Sequence, residues 1–387
     1  MTRDYRLMLA ATFFWGAGEG LFIYLYPLYL EQLGATPVTI GAIIGLAMLA
    51  LAVSHAPAGW LSDHMERRSL LVASWTLGTL AAAFMYLAPS LLWFSVALVA
   101  YIFAGFAASP LWAYLTHARG SWSVQRALAV YSAAYAAGAL FSPALGGQAA
   151  RLWGLRSVFG IAVLIFAVST AAVYLIHPQP VPPRQAGAGR YRALLSGRPL
   201  LVFLGLMLVA SLGFQVGVPL ASNFLADVRR LDVGVIGLLG SFNALGMLVL
   251  NAALGHTEPR RAYLISQALM ALSLVLLLAT GQPALVALAF LGRGSWGLAR
   301  AMSNALVGRV VGPADLGLAY GLTETVMAVA VMAAPPLAGL LYARMPSLPF
   351  AVGLGLLAVT MPLAAWLAPR PSAAVASPAA SGPGGER

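Results

Sequence analysis

The chain has 387 residues, of which 61% are hydrophobic and only 9% are charged, and its formal net charge is +11. A soluble domain carries about 25% charged residues, so this chain cannot cover itself with a polar surface in water. The mean hydropathy of +0.86 predicts a membrane protein surrounded by a lipid bilayer. Cysteine is absent and the five histidines are scattered, so we expect no disulfide, no cofactor and no metal centre.

Twelve apolar segments follow one another along the chain, and most are long enough to cross about 30 Å of hydrocarbon as a helix. We expect helices because lipid offers no hydrogen-bond partner to an unpaired backbone group. The segments lie at about 5–30, 36–62, 69–87, 90–116, 126–149, 156–177, 199–226, 233–255, 262–280, 283–307, 316–342 and 347–368.

A connection rich in proline, glycine and arginine, residues 178–198, separates the first six segments from the last six. We therefore predict an all-α membrane protein of two pseudo-symmetric six-helix bundles, 1–177 and 199–368, joined by a cytoplasmic linker. The composition of residues 369–387 is typical of a disordered tail.

The two halves repeat each other in sequence. Arg67 and Arg68 recur as Arg260 and Arg261, and Pro143 recurs as Pro336, all at an offset of 193 residues. Repeated halves around a central binding site are a common architecture of secondary transporters.

Arginine supplies all 22 basic residues and orients the chain. With the N-terminus in the cytoplasm, 15 of them fall in cytoplasmic segments and five in outer loops. This bias predicts cytoplasmic termini, in a multi-pass protein of the bacterial inner membrane. It also explains the net charge, so we do not expect nucleic acid as a partner.

A ten-residue loop at 59–68, GWLSDHMERR, resembles the loop signature between the second and third helices of the major facilitator superfamily. Its matching residues are Gly59, Asp63, Arg67 and Arg68. The resemblance covers nearly the whole chain. It implies two bundles that rock about a mid-membrane site, with this loop as a cytoplasmic gate that latches the halves. The alternative is a set of arginines that serve topology alone.

The fifth segment resembles the antiporter motif of the drug–proton exchangers in this superfamily, through Gly138, Pro143, Gly146 and Gly147. The resemblance favours efflux. The alternative is ordinary close packing, since small residues let helices approach each other and proline bends a span.

Four ionisable residues lie inside predicted spans: Glu19, Arg293, Arg300 and Glu324. Each costs about 2.5–3.5 kcal/mol at mid-bilayer, so they should face one another or a water-filled cavity. Their depths predict two ion pairs, Glu19 with Arg293 and Arg300 with Glu324. Glu19 and Glu324 are candidates for proton coupling, and Arg293 is a candidate anchor for an anionic substrate. Fixed structural pairs are the alternative.

Aromatic and amide side chains on the same segments could complete a substrate site, because amphipathic rings bind lipophilic or sugar-like ligands. Packing and interface positions are the alternative for each. The candidates are Trp15, Tyr24, Trp112, Tyr131, Tyr135, Gln215, Asn223, Asn243, Trp296 and Asn304.

These observations predict a secondary transporter that moves a small molecule by alternating access. We expect a monomer. We expect proton-coupled efflux of an amphiphilic or drug-like compound. A proton-coupled or facilitative carrier of a sugar, organic anion or lipid-like solute is the first alternative, and a sensor or scaffold without transport is the second. We expect no enzyme, because the sequence has no nucleophile elbow, phosphate loop or metal cluster.

Overall fold

The computed structural model describes residues 1–179, 198–309 and 316–367, and the regular elements in these ranges are all helices. The predicted all-α fold is therefore confirmed, while most of the linker and the tail at 369–387 lie outside the described residues. The first half contains α1 (Arg3–Phe22), α2 (Tyr26–Gln32), α3 (Pro37–His64), α4 (Arg67–Leu87), α5 (Leu91–Phe103), α6 (Ala108–Ala118), α7 (Val124–Trp153) and α8 (Leu155–Tyr174). The second half contains α9 (Arg198–Gln215), α10 (Ala221–Asp227), α11 (Val233–Leu254), α12 (Pro259–Ala279), α13 (Pro283–Arg293), α14 (Ser295–Val307), α15 (Leu316–Arg344) and α16 (Leu348–Leu367).

Eight of these helices are long and apolar enough to cross a membrane by themselves, namely α3, α4, α7, α8, α11, α12, α15 and α16. Two bent pairs, α1 with α2 and α5 with α6, raise the number to ten if each pair is one span. The two other predicted segments hold the shorter helices α9 with α10 and α13 with α14. Every one of the twelve predicted segments thus contains a helix or a broken pair of helices, which is consistent with the twelve-helix prediction.

The first and fourth segments of both halves are broken at corresponding places. In the first segment of each half, Pro27 lies in the first turn of α2 and Pro219 shortly precedes α10, and proline cannot donate the backbone hydrogen bond that would continue the preceding helix. In the fourth segments, the 3-10 turn Ala104–Ala107 and Gly294 interrupt the helix. Paired breaks of this kind in the two halves point to the binding site of a transporter.

The start of α1 and the end of α16 lie at the end of the molecule that we call the terminal end. Thr2 donates to the carbonyl of Ala118 at 2.5 Å, and Arg260 donates to the carbonyl of Ala365. We call the opposite end the distal end.

The two halves pack on each other at the distal end, through α7 against α11 and α3 against α15. Glycine makes both crossings possible. Gly147, near the end of α7, faces Gly237, near the start of α11, and a Cβ on either would overlap the other helix. Gly41 in α3 faces the backbone of Pro335 in α15 in the same way. Among the described residues, the hydrogen bonds between the halves also lie toward this end, so the distal end is closed.

Candidate functional site

A cavity of about 360 Å³ lies within the first half, between α1, α3, α4, α5 with α6, and α7. All of its described lining residues fall between Thr12 and Tyr135, and most are apolar or aromatic. Glu19 is the single charged residue among them. The cavity therefore combines an apolar wall with one carboxylate.

Close packing of α1 on its neighbours puts Glu19 into this cavity. Glu19 stands between Gly18 and Gly20, and a Cβ on these glycines would overlap Phe166 of α8 and Ser142 of α7 respectively. Because α1 and α7 lie this close, the Tyr135 hydroxyl reaches across and donates to Glu19 Oε2 at 2.6 Å. A hydrogen bond to a carboxylate is shorter and stronger than one between neutral groups, so it orients the carboxylate.

The predicted fifth-segment motif supplies the other side of these contacts. Gly138 faces the backbone of Phe13, and Gly146 faces the backbone of Leu21, both in α1. The Pro143 ring lies where a Cβ on Gly20 or Gly240 would contact it, and Gly147 lies in the crossing with α11. In this conformation, the four motif residues serve close helix packing.

Stacked rings form the wall beside Glu19. Trp15 stacks on Phe166 with 4.4 Å between the ring centroids, and its plane is parallel to that of Tyr101 at 6.0 Å. Trp75 meets Trp15 edge-on at 5.5 Å. The buried hydroxyl of Tyr101 has no hydrogen-bond partner among the described residues.

The structure brings Trp15, Tyr131 and Tyr135 together in the lining of this cavity. Trp112 lies just outside it, 41% exposed, with its ring 5.5 Å from that of Tyr131. Tyr101 is not among the candidates predicted from the sequence, although it aligns with Arg293 at an offset of 192 residues. The alignment itself was the available signal, since Tyr101 and Arg293 occupy corresponding places beside the breaks in the fourth segments.

The expected ion pair between Glu19 and Arg293 is not formed, although both residues are described. Glu19 is held by Tyr135, and the Arg293 guanidinium lies over the Phe290 ring, 4.5 Å from its centroid. Depth along a helix puts both residues near the middle of the membrane, but it does not determine which way each side chain faces. Arg293 is 7% exposed, and its Nη1 has no hydrogen-bond partner among the described residues.

Arg300 and Glu324 form the second expected pair, with 2.5 Å between Nη2 and Oε2. Asn304 Nδ2 also donates to Glu324 Oε1 at 2.9 Å. The Arg300 side chain is 55% exposed and that of Glu324 is 38% exposed, so this pair faces open space between α14 and α15.

Two further candidates lie in the second half, apart from the cavity. The Trp296 ring packs on Phe214 at 5.4 Å, and the half-buried Gln215 ends α9. Neither of them lines the cavity of the first half.

Three other candidates join the two halves. Tyr24 donates its hydroxyl hydrogen to Asn243 Oδ1 at 3.1 Å. Asn223, which is 1% exposed, donates from Nδ2 to the Pro27 carbonyl at 3.3 Å and also to Glu31. These side chains therefore contribute to the closed distal end.

The predicted gate motif makes its described contacts within the first half. Arg67 Nη1 lies 3.2 Å from His117 Nδ1, and Arg68 donates to the carbonyls of Ile176 at 2.7 Å and Tyr174 at 2.8 Å. Gly59 and Asp63, the other two motif residues, lie outside the residues whose surroundings are described. The latch between the halves thus stays a prediction.

Comparisons with known proteins agree on one family. A family model described as Major Facilitator Superfamily matches residues 8–255 and again residues 203–385. The multidrug resistance protein MdtG of Dickeya zeae (strain Ech586) is 31% identical over 212 residues, which cover 52% of this chain and 50% of that protein. The multi-drug resistance efflux pump PmrA of Streptococcus pneumoniae serotype 4 is 28% identical over 193 residues, with 47% and 48% covered.

The chain therefore spans about half the length of these two relatives. Among solved structures, a mutant form of the nucleoside transporter NupG has a TM-score of 0.82 at 13% identity. That match covers 94% of this chain and 100% of the other. At this identity, the likeness shows the fold.

Proposed function

Because this chain belongs to the Major Facilitator Superfamily, we propose that it is a multi-pass membrane transporter. We propose further that it exports amphiphilic, drug-like compounds in exchange for protons. Its two bundles would expose one central site to each side of the membrane in turn. The arginine bias favours a bacterial inner membrane with both termini in the cytoplasm. The closed distal end would then face outward, and the present conformation would load substrate from the cytoplasm.

The observation that carries this proposal is the aromatic cavity with Glu19 as its one charged lining residue. Stacked rings offer flat apolar surfaces to a lipophilic body, and both the rings and the carboxylate attract a cationic group. A lone charge in an apolar site is costly. Glu19 would therefore hold either a proton or a cationic substrate, and the replacement of one by the other would couple their movements.

The names of the relatives support export. MdtG is described as a multidrug resistance protein and PmrA as an efflux pump. We assign the coupling proton to Glu19 and not to Glu324, because Glu324 already has Arg300 and Asn304 as partners.

Substitution of Glu19 by Gln tests the proposal in proteoliposomes with an imposed proton gradient and a fluorescent lipophilic cation as substrate. We expect the gradient-driven transport of E19Q to fall about 10- to 100-fold, the range for losing an interaction with a charged group. Asp4→Asn is the matched control, since it removes a carboxylate from the same helix, outside the cavity, where Asp4 binds His177 at 2.8 Å. Unchanged, pH-dependent transport by E19Q would rule out the coupling role.

A carrier of anionic or nucleoside-like solutes is the second candidate. It is favoured by the buried Arg293, whose Nη1 lacks a partner among the described residues, and by the fold shared with NupG. The same vesicles distinguish the two candidates. Transport of organic anions that is lost in Arg293→Gln and kept in E19Q would favour the second one. A sensor or scaffold would move neither class of solute.

A further inference from the structure

Tyr24 lies in the break between α1 and α2, at a contact between the two halves. Its hydroxyl donates to Asn243 Oδ1 of α11 at 3.1 Å. Asn243 Nδ2 in turn donates to the carbonyl of Phe290 in α13 at 3.5 Å. These two hydrogen bonds connect the first half to the helix that ends at Arg293.

The Tyr24 ring packs closely between Gly240 of α11 and the Phe290 ring of α13. A Cβ on Gly240 of α11 would overlap the ring, so only glycine leaves room for it there. On its other side the ring approaches Phe290, with 6.4 Å between the centroids. The Phe290 ring is the one that carries the Arg293 guanidinium.

Glu19 lies in α1, shortly before Tyr24, and Arg293 packs on the Phe290 ring that Tyr24 approaches. Glu19 and Arg293 are not within ion-pairing distance of each other, and each has a different partner.

We propose that Tyr24 is a positioning residue for transport, which holds the distal end closed through Asn243 while the site is loaded. Since Tyr24 and Asn243 belong to different halves, their bond has to break when the distal end opens. The loading of the site rests on the proposed function, but the closing role of the hydrogen bond does not.

A cysteine reporter measures the opening of the distal end directly, because the native chain contains no cysteine. Ser241 is a suitable position. It lies in α11 at the contact with α7, where its hydroxyl accepts from the Ala144 N–H at 3.2 Å. In S241C, reaction with a membrane-impermeant maleimide from the distal side reports how often that end is open, with no transport substrate needed.

We expect Tyr24→Phe to raise the labelling rate of S241C about fivefold, the effect of losing one ordinary hydrogen bond. Asn243→Ala should give a similar rise, and the double variant should not exceed the larger single effect, because both changes remove the same bond. Tyr29→Phe is the matched control. Tyr29 lies in the same broken segment, is 4% exposed, and packs on Phe94 and Phe159 within the first half.

Equal labelling of Y24F and the parent would overturn the proposal, and so would effects of Y24F and N243A that simply add. Additive effects would indicate that each substitution loosens the packing by itself. Comparing the two single variants with the double variant separates that case from the loss of one shared hydrogen bond. If E19Q kept its transport, the coupling role of Glu19 would fail, but the labelling rates expected for S241C would stay the same. The closing role of Tyr24 and the coupling role of Glu19 can thus fail independently.

Discussion

Of the four charged residues inside the helices, two form an ion pair and two have other partners. Arg300 and Glu324 were placed at similar depths and do meet. Glu19 and Arg293 were also placed at similar depths, yet Glu19 binds Tyr135 and Arg293 packs on Phe290. Helical rise determines how far a residue lies from the membrane surface. Which neighbour it faces depends on how its helix is rotated, and packing with remote helices decides that rotation.

A charge swap tests the Arg300–Glu324 pair. Arg300→Glu or Glu324→Arg alone places two like charges side by side, and we expect each to lower the unfolding temperature of the purified protein by about 2–4 °C. The double variant R300E/E324R should recover most of this loss, since the pair is restored with reversed polarity. A double variant less stable than both single variants would show that the two residues are not coupled as a pair.

At the scale of the helix, the two halves use equivalent glutamates at the start of their third segments in different ways. Glu258 caps α12, accepting from the N–H groups of Arg260 at 3.2 Å and Arg261 at 2.9 Å, and it also binds Arg309 at 2.7 Å. Glu66 directly precedes α4 without making a capping hydrogen bond, and among its described contacts it accepts only from the Ser69 hydroxyl at 3.3 Å. The repeat in sequence therefore predicts the location of these residues and not their interactions.

The Glu258 cap should make stability depend on pH. Burial alone would raise the pKa of Glu258, but the hydrogen bonds from Arg261, Arg309 and Arg260 outweigh it and hold the pKa below its ordinary value. Because the folded pKa is below the unfolded value of about 4.3, the stabilisation is complete above that pH and is lost as the pH falls through the folded pKa.

We expect Glu258→Gln to unfold at a lower temperature than the parent at pH 6, and the difference to shrink toward pH 3. The effect should be under about 1 kcal/mol, because the Glu258–Arg309 pair is partly exposed to solvent. Glu66→Gln is the matched control, because Glu66 holds the corresponding position before α4 and makes no capping hydrogen bond. A difference between E258Q and the parent that is constant from pH 3 to pH 6 would contradict this account.

At the scale of the whole molecule, small residues at the helix crossings determine which end is closed. Gly147 with Gly237, and Gly41 with Pro335 and Gly339, bring the backbones of the two halves together at the distal end. Such close crossings gain their stability from van der Waals contact over a short distance. A side chain added there should therefore act on the equilibrium between the conformations of the transporter.

Gly237→Ala tests this effect on the whole molecule. Its Cβ would overlap the Pro143 carbonyl and the backbone of Gly147, so the closed distal end should become less favourable. We expect faster labelling of S241C from the distal side in this variant. Gly205→Ala is the control, since its Cβ would meet no atom within 4 Å. Equal labelling of G237A and G205A would show that this crossing does not control opening.

Composition, hydropathy and the alignment of the halves were enough to predict the membrane setting, the helices, the repeat and the family resemblance. These properties are local or compositional: apolar segments must be helical in lipid, and a repeat can be seen by alignment. The tertiary structure decided that the cavity lies wholly within the first half, that Tyr135 holds Glu19, and that Tyr24 and Asn243 link the halves at the distal end. Those contacts depend on helix rotation and on the packing of residues far apart in the chain, which hydropathy and periodicity do not record.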